Sequence, residues 1–383
     1  MKKMTVAVAA ACAALAAGAA QAQTNVQLYG LIDLSIGTQT HVDAAGHSLT
    51  SMWTAPWFSG NRWGLRGSED LGNGTNAIFK LESEYDTPTG AMDTPGVLFN
   101  RDAWVGLQGA SWGKLTLGRQ NTLARDFSQN YGDAYGTPGV VYEEGGWTNV
   151  NNFKQMIFYA ASPSGTRYDN GVVYKYVGDS GFAGGLAYQF GGVPGNTSTN
   201  STKAAALAYN GGMFNVSGFA QSFNVAGNKS TGYSVGGDAI FGIFRVNAGL
   251  FHFGIDQGAN GALGKRTDNA WTLSTKITPT DKYDFELGYQ QMKAKNAAGT
   301  AVSGTSFLAL ATPYANTTSG FTKVANGKKG TLYTSFFYHL TKRTETYIAA
   351  DFLKLSDVGH FKGDNDPSFT SQTEYVVGIR TRF

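Results

Sequence analysis

Two strings in the sequence contain a serine in a setting that suits nucleophilic catalysis. GASWG (109–113) fits the pattern G-x-S-x-G, and GDSG (178–181) carries a serine between an acidic residue and a glycine. The first pattern needs a strand–turn–helix elbow, whereas both strings fall in turns between strand-like segments. The five histidines are scattered, so no Ser/His/Asp set can be assembled from sequence order. We therefore expect no enzymatic activity.

Metal and cofactor chemistry is equally poorly supported. No paired histidines or Asp-rich loop fits a zinc or EF-hand site, and no cofactor is expected. Calcium at loop carboxylates stays open but has no support. Cys12, the single cysteine, lies in the N-terminal apolar stretch, so the rest of the chain has no disulfide.

Charged side chains that act on solutes through their electric field are a different kind of chemistry. The candidates on the basic side are Arg62, Arg66, Lys80, Arg101 and Arg167, and the acidic ones are Asp126, Asp133, Glu143 and Glu144. The acids belong to one long polar stretch, from Asn121 to about Thr166, which also contains Arg125 and Lys154. Opposite charges across a narrow opening would produce a transverse field that filters ions and dipolar solutes.

The elements that position these charges are strands. Segment after segment alternates with period 2, as in VQLYGLIDLSI (26–36), AIFKLESEY (77–85) and YDFELGYQQ (283–291). Strict alternation of apolar and polar residues is typical of a strand with one apolar face. A soluble β-sandwich shows the same alternation. However, the polar face here repeatedly carries Arg, Lys and Glu with no second layer evident.

Short and long connections alternate along the chain and predict sixteen strands in eight hairpins. The predicted strands are 25–37, 61–68, 75–85, 98–108, 113–120, 167–177, 183–190, 203–210, 213–223, 231–239, 243–253, 270–277, 282–292, 331–340, 344–353 and 373–383. An even strand number with short turns at one end and long loops at the other is typical of an outer-membrane barrel. Closure leaves no unpaired edge in lipid.

The N-terminus predicts export. Two lysines precede an apolar stretch from about Thr5 to Ala20, and Ala20-Gln21-Ala22 is a small-x-small cleavage site, so we predict a signal peptide at 1–22 and a barrel at 23–383. Without Lys2 and Lys3, 28 basic side chains face 27 acidic ones, which gives no indication of nucleic-acid binding. The composition is rich in glycine (51 residues), tyrosine (19) and phenylalanine (24).

Parity within the strands assigns faces. In NRWGLRG, Trp63 and Leu65 face outward, so Arg62 and Arg66 face the interior; in LFNRDAW, Arg101 is placed inward, opposite Trp104. In RYDNGVVYKY, the outward Val172 and Tyr174 place Arg167, Asp169 and Lys175 inward. Asp33, Glu82, Glu84, Asp284 and Glu286 are also placed inward.

Six motifs in order resemble the general porins of β- and γ-proteobacteria, close to the Neisseria/Burkholderia type. They are NVQLYGLIDLSIG, NRWGLRGSEDLGNGTNAIFKLESEYD, LFNRDAWVGLQGASWGKLTLGRQ, RYDNGVVYKY, LTKRTETY and VGIRTRF. The resemblance implies an all-β fold: a 16-stranded antiparallel transmembrane β-barrel with short periplasmic turns, long extracellular loops and a third loop folded into the pore. It implies a homotrimer in the outer membrane, surrounded by lipid and lipopolysaccharide.

The resemblance also implies roles for residues. Arg62, Arg101 and Arg167 would form a basic cluster at the constriction, with Lys80 and Arg380 as weaker additions, and Phe383 would be the terminal aromatic read by the barrel-assembly machinery. The expected function is passive diffusion of ions and small hydrophilic solutes, with a weak preference for anions. The alternatives are a substrate-specific channel and a structural or adhesive surface barrel.

Overall fold

Strands dominate this computed structural model, which describes residues 25–53, 57–132, 134–136, 138–139, 165–225, 227–258, 261–301, 308–310, 323–356, 359–361 and 369–383. Sixteen strands build the wall: β1 Asn25–Gln39, β3 Arg62–Asp70, β4 Thr75–Glu84, β5 Asp102–Gly109, β6 Gly113–Asn121, β7 Arg167–Val177, β8 Phe182–Gln189, β9 Thr202–Asn210, β10 Phe214–Val225, β11 Asn228–Phe241, β12 Phe244–Gln257, β13 Gly264–Thr280, β14 Tyr283–Ala301, β16 Lys323–His339, β17 Thr344–Ser356 and β19 Ser371–Arg382. Three short strands lie in connections: β2 Leu49–Met52, β15 Leu308–Leu310 and β18 Gly359–Phe361. The predicted signal peptide lies outside the described residues.

The wall closes on itself. Each wall strand pairs antiparallel with its neighbours, and β1 pairs with β3 on one side and with β19 on the other. The seam between β1 and β19 runs from Leu31 opposite Arg382 to Gln39 opposite Glu374. This confirms the predicted all-β, 16-stranded closed barrel. The terminal strand has no free edge because the first strand takes up its backbone groups.

Alternating faces separate lipid from lumen. Outward side chains such as Leu28, Leu207 and Leu250 are 61%, 75% and 62% exposed, whereas the intervening side chains on the same strands are mostly buried. A soluble sheet would bury the apolar face, so this inversion is typical of a barrel whose outside meets hydrocarbon. No helix in the described part of the chain is long and apolar enough to cross a membrane.

The predicted faces of two side chains, Trp104 and Asp169, are wrong, each for a local reason. Trp104 lines the interior, where Lys114 Nζ lies 5.0 Å from its ring centroid. Arg101 precedes the first residue of β5, so its parity does not carry into the strand. The predicted inward face of Asp169 is wrong because the pairing of β6 with β7 shifts register between Gly118 and Gln120. Tyr168 is therefore fully buried, while the Asp169 side chain is 45% exposed beside Arg119.

Several wall strands run beyond the predicted segments. β13, β14 and β16 extend past their predicted ends at the side of the long connections. There the pattern of faces is inverted: Met292 and Ala294 are buried in the interior, while Lys293 and Lys295 are exposed outside. The pattern of apolar side chains outside and polar side chains inside, which is typical of the membrane-spanning part, therefore stops before these strands end.

Candidate functional site: the lumen and its arginine cluster

The connection between β6 and β7 enters the barrel through two short helices, α1 Leu123–Phe127 and α2 Gln129–Gly132. Thr122 caps α1, since its side chain accepts a hydrogen bond from the Arg125 backbone N–H. The residues of both helices are buried. α1 contacts β8, β9 and β10, and α2 contacts β11, β12 and β13, so the described part of this connection lies along the inner wall.

Tyr131 is the main anchor of this connection. Its hydroxyl donates to Ser234 Oγ at 2.9 Å, and its carbonyl accepts from Thr272 Oγ1 at 2.7 Å. The ring lies on Gly236 and Gly249, where an added Cβ would come within 2.3 Å of it. These two glycines provide the depth that lets a fully buried aromatic side chain lie flat against the wall.

Beyond α2, the connection reaches the strands near the seam. The Ala134 backbone N–H donates to the Tyr333 hydroxyl at 3.2 Å, and the Tyr135 hydroxyl donates to Glu345 Oε1 at 3.4 Å. The Tyr135 ring stacks on Phe58 from the first connection, with centroids 5.0 Å apart. The inward segments of the first and third connections therefore support each other.

Four arginines converge near the starts of β3, β5 and β7. Arg62 begins β3, Arg101 precedes β5, Arg167 begins β7, and Arg125 comes from α1; we call them the arginine cluster. Arg125 and Arg167 both donate Nη1 to Thr166 Oγ1, at 3.4 and 3.3 Å. Burial lowers the pKa of Arg125, and the positive charges of Arg167, Arg101 and Arg62 lower it further. The cluster is thus a concentration of like charge.

Carboxylates on the same wall hold part of this charge. Arg101 donates Nε to Glu82 at 2.5 Å and Nη1 to Glu84. Lys80 lies on the same strand and pairs with Asp102 at 2.8 Å and with Glu82 at 3.4 Å. These ion pairs orient Arg101 and Lys80. Arg62 donates Nε to the Gly60 carbonyl at 2.8 Å.

The predicted acids of the third connection have different positions. Asp126 is buried against the wall, where it accepts from Lys175 Nζ and from Asn121 Nδ2 at 3.1 Å. It therefore does not face the arginine cluster across open space; its neighbour Arg125 turns toward the cluster instead. Asp133, Glu143 and Glu144 lie outside the described residues, and their place in the constriction stays a prediction.

A cavity of about 680 Å³ leads from the arginine cluster toward the end with the short turns. Among the described residues that line it, seven are basic and one, Glu82, is acidic. The basic residues are Arg62, Arg66, Lys80, Arg101, Lys114, Arg125 and Arg382. The basic surface therefore continues through the lumen, and we call these seven residues the basic path. Arg66, one of them, donates Nε to Gln27 Oε1 at 2.9 Å.

Arg380 lies on another part of the wall. It donates Nε to Glu345 at 2.5 Å and Nη1 to Ser59 Oγ at 2.9 Å, and its guanidinium carbon lies 4.5 Å from the centroid of Tyr135. It supports the inward segments rather than joining the arginine cluster. Phe383 ends the seam: its backbone N–H donates to the Gly30 carbonyl at 3.1 Å, and its carbonyl accepts from the Gly30 N–H at 3.1 Å.

Sequence comparison identifies the family. The pattern that defines the Gram-negative porins matches residues 7–357 of this chain. The chain belongs to the Gram-negative porin family. The closed barrel with its apolar outer face agrees with this membership, and the porin is an outer-membrane β-barrel. The serine strings of the sequence lie in tight turns, Ser111 between β5 and β6 and Ser180 between β7 and β8, and the family is one of channels.

Individual relatives show how far the similarity extends. The porin is 33% identical to an outer membrane porin protein of Bordetella pertussis over 269 residues, which cover 62% of this chain and 66% of that one. It is 33% identical to outer membrane porin protein 32 of Delftia acidovorans over 50% of each chain. The aligned part thus spans between half and two thirds of these relatives.

Solved structures share the fold. An anion-selective porin from Comamonas acidovorans superposes with a TM-score of 0.70, at 22% identity, over 94% of this chain and all of that one. OmpF of Salmonella typhi, in complex with daunomycin, superposes with a TM-score of 0.57, at 13% identity, over 94% of this chain and 97% of that one.

Sequence reasoning missed two members of the basic path. Arg125 lies among the acids of its own segment, but the Thr122 cap indicates a helix that can turn neighbouring side chains to different sides. Lys114 could have been found by parity, because the outward Leu115 and Leu117 place it in the interior.

Proposed function

We propose that this porin forms a water-filled channel for the passive diffusion of ions and small hydrophilic solutes, with a preference for anions. The observation that carries the proposal is the arginine cluster, three of whose members (Arg62, Arg101 and Arg125) line a cavity with a mostly basic surface. Fixed charges in a narrow, protein-walled passage act more strongly than in bulk water. The solved Comamonas porin of the same fold is named as anion-selective, which supports the proposed preference for anions.

Single-channel recording in a planar bilayer tests this proposal. We expect large ohmic conductance steps and, in a salt gradient, a zero-current potential with the sign of anion preference. Small steps that one solute class blocks would instead indicate a substrate-specific channel. A silent but correctly folded barrel would indicate a structural or adhesive role. A homotrimer is the assembly that we expect from the family resemblance.

We also propose that Phe383 is the terminal residue recognised during barrel assembly. Its ring lies on Gly30, where an added Cβ would come within 2.1 Å of it, and the side chain is 52% exposed. Recognition before closure needs such an accessible aromatic side chain at the end of the last strand.

Replacing Phe383 with Asp should therefore lower the amount of folded barrel in the outer membrane, while the barrels that do form keep their conductance. The matched control is Phe244→Asp, because Phe244 is 43% exposed at the same end of the wall but begins β12. The measurement is heat-modifiable, folded protein in outer-membrane fractions. Equal losses in the two variants would show that only a general aromatic contact had been removed.

A further inference from the structure

A tryptophan and two cations lie in one row across the inner face of the wall. Arg66 of β3 lies directly opposite Lys80 of β4, and Lys80 lies directly opposite Trp104 of β5. Residues that face each other in an antiparallel ladder have their Cβ atoms about 5 Å apart. All three side chains line the cavity of about 680 Å³. We call them the tryptophan row.

A third cation reaches the same indole from the next strand. Lys114 belongs to β6, which pairs with β5, and its Nζ lies 5.0 Å from the centroid of the Trp104 ring. Trp104 thus has a cation on each of the two strands that flank β5. The arrangement is repeated nearby, since the Arg66 guanidinium carbon lies 5.3 Å from the centroid of Tyr29. Cations over aromatic faces are attracted by the ring quadrupole, so these pairs keep rings and charges together in the cavity.

The cavity also has apolar surface, which ion filtering alone does not require. Ile78 lies on the inner face of β4, diagonal to Trp104, and Leu31 lies on β1; both line the cavity. Elsewhere on the wall, inward apolar side chains such as Phe219 pack in a cluster with Phe127 of the third connection. The volume is within the range of pockets that bind small molecules, about 300–1,000 Å³. The lining therefore offers a small solute both positive charge and apolar surface.

The charge of the lining selects the sign of the solute. Seven of the described lining residues are basic and one is acidic, so anions concentrate there. An inorganic anion gains nothing from the indole and Ile78, and an uncharged aromatic solute gains nothing from the cations. A carboxylate attached to an aromatic ring uses both. Because neighbouring strands lie about 4.8 Å apart, a ring on Trp104 places its carboxylate beside a cation of the next strand.

We infer that the tryptophan row and Lys114 form a binding subsite for small aromatic carboxylates on the path through the channel. The inference rests on the proposed anion-preferring channel and names the solute class that this channel retains longest. The ring of the solute packs on Trp104 in an offset or edge-on arrangement, while Lys80 and Lys114 attract the carboxylate from the two flanking strands. Binding is weak enough to permit release, as conduction requires.

Open-channel block in a planar bilayer tests the inference, at neutral pH in potassium chloride. The two probes are benzoate and cyclohexanecarboxylate, which carry the same charge on a ring that is aromatic in one and saturated in the other. We expect benzoate to halve the chloride current at a concentration about three- to tenfold lower, the range for one aromatic pair. The saturated ring is the more apolar one, so burial of apolar surface alone would give the opposite order.

Four variants separate the ring from the charge. Trp104→Leu should remove the preference for benzoate, because leucine is apolar but has no aromatic face, whereas Trp104→Phe should retain part of it. Trp271→Leu is the matched control, since Trp271 is 38% exposed on the outer face of β13, and it should leave the preference unchanged. Lys114→Gln should raise the blocking concentrations of both probes by a similar factor.

Four outcomes would overturn the inference. Equal or tighter block by cyclohexanecarboxylate would mean that the aromatic ring is not recognised. Equal block by benzyl alcohol would mean that the carboxylate is not recognised. An unchanged preference in Trp104→Leu, or an equal loss in Trp271→Leu, would mean that the tryptophan row is not the subsite.

The ion preference of the channel is measured separately, as the zero-current potential in every bilayer before a probe is added. A cation-preferring sign there would count against the proposed function, whereas the ratio of the two blocking concentrations decides the subsite. For a barrel that does not conduct, saturation-transfer NMR of the two probes with the folded protein in detergent compares their binding directly. A stronger transfer to benzoate would support the subsite, and equal transfer would overturn it.

Discussion

Replacing Arg62, Arg125 and Arg167 together with glutamine should shift the zero-current potential in a potassium chloride gradient toward cation preference. Three unit charges about 8 Å from an ion path each contribute about 0.5 kcal/mol in water. Together they favour an anion and disfavour a cation by on the order of 1.5 kcal/mol each, a difference of about 3 kcal/mol, which corresponds to a change in the anion-to-cation permeability ratio on the order of a hundredfold. Glutamine keeps the hydrogen-bonding capacity of these side chains while it removes their charge.

Arg101 is left intact in this variant on purpose. It is held by Glu82 and Glu84, so its removal would expose two carboxylates and mix two effects. The control variant replaces Lys282, Lys342 and Arg343 with glutamine, which removes the same total charge from the short turns. A control that shifts the potential as much as the cluster variant would show that net charge sets selectivity. No shift in either would remove the three arginines from the ion path.

Gly249→Ala should lower the single-channel conductance by pushing the third connection into the lumen. All three atoms nearest to the added Cβ belong to the Tyr131 ring, at 2.3, 3.0 and 3.2 Å. Gly249 is held by ladder pairing to β11 and β13, so the connection, not the wall, must give way. Overpacking of this kind costs about 1–3 kcal/mol, and the displaced segment narrows the passage.

Removal of the clashing ring should reverse the effect. Gly249→Ala combined with Tyr131→Ala should conduct at least as well as the unmodified channel, because the ring no longer opposes the wall. Gly184→Ala is the control, since its added Cβ would meet Leu207 at 3.5 Å, an ordinary contact. If Gly249→Ala leaves the conductance of a folded channel unchanged, the position of the Tyr131 ring does not set the width of the passage.

The sequence alone predicted the barrel well because its main signal is local. Side chains alternate with period 2, so the exposed Val377 and Ile379 on the last strand and the buried Arg380 between outward neighbours follow from parity. Alternating short and long connections then give the hairpin count. The prediction was weakest where strands extend past the apolar band, as at Lys293 and Lys295, since charged residues outside and small residues inside no longer look like a membrane strand.

The arginine cluster was partly predictable for the same reason. Arg62 begins β3, which continues from it without a register shift, so its face follows from Trp63 and Leu65. Arg101 precedes β5, and Arg167 begins β7 beside a register shift, so parity is less informative for these two. Parity placed both of them inward, but it failed for their neighbours Trp104 and Asp169. The alternation of faces begins anew at the start of β5, and it changes at the register shift between β6 and β7. The sequence around a bulge does not say which residue will be skipped.

What the sequence determined by itself was therefore the closed, lipid-facing wall and the side on which each regular strand residue lies. Only the tertiary structure decided that Arg125 joins the arginines while Asp126 pairs with Lys175, and that Tyr131 lies on Gly236 and Gly249. The physical reason is separation along the chain. Tyr131 and Ser234 are 103 residues apart and meet only because the barrel closes around an inward connection.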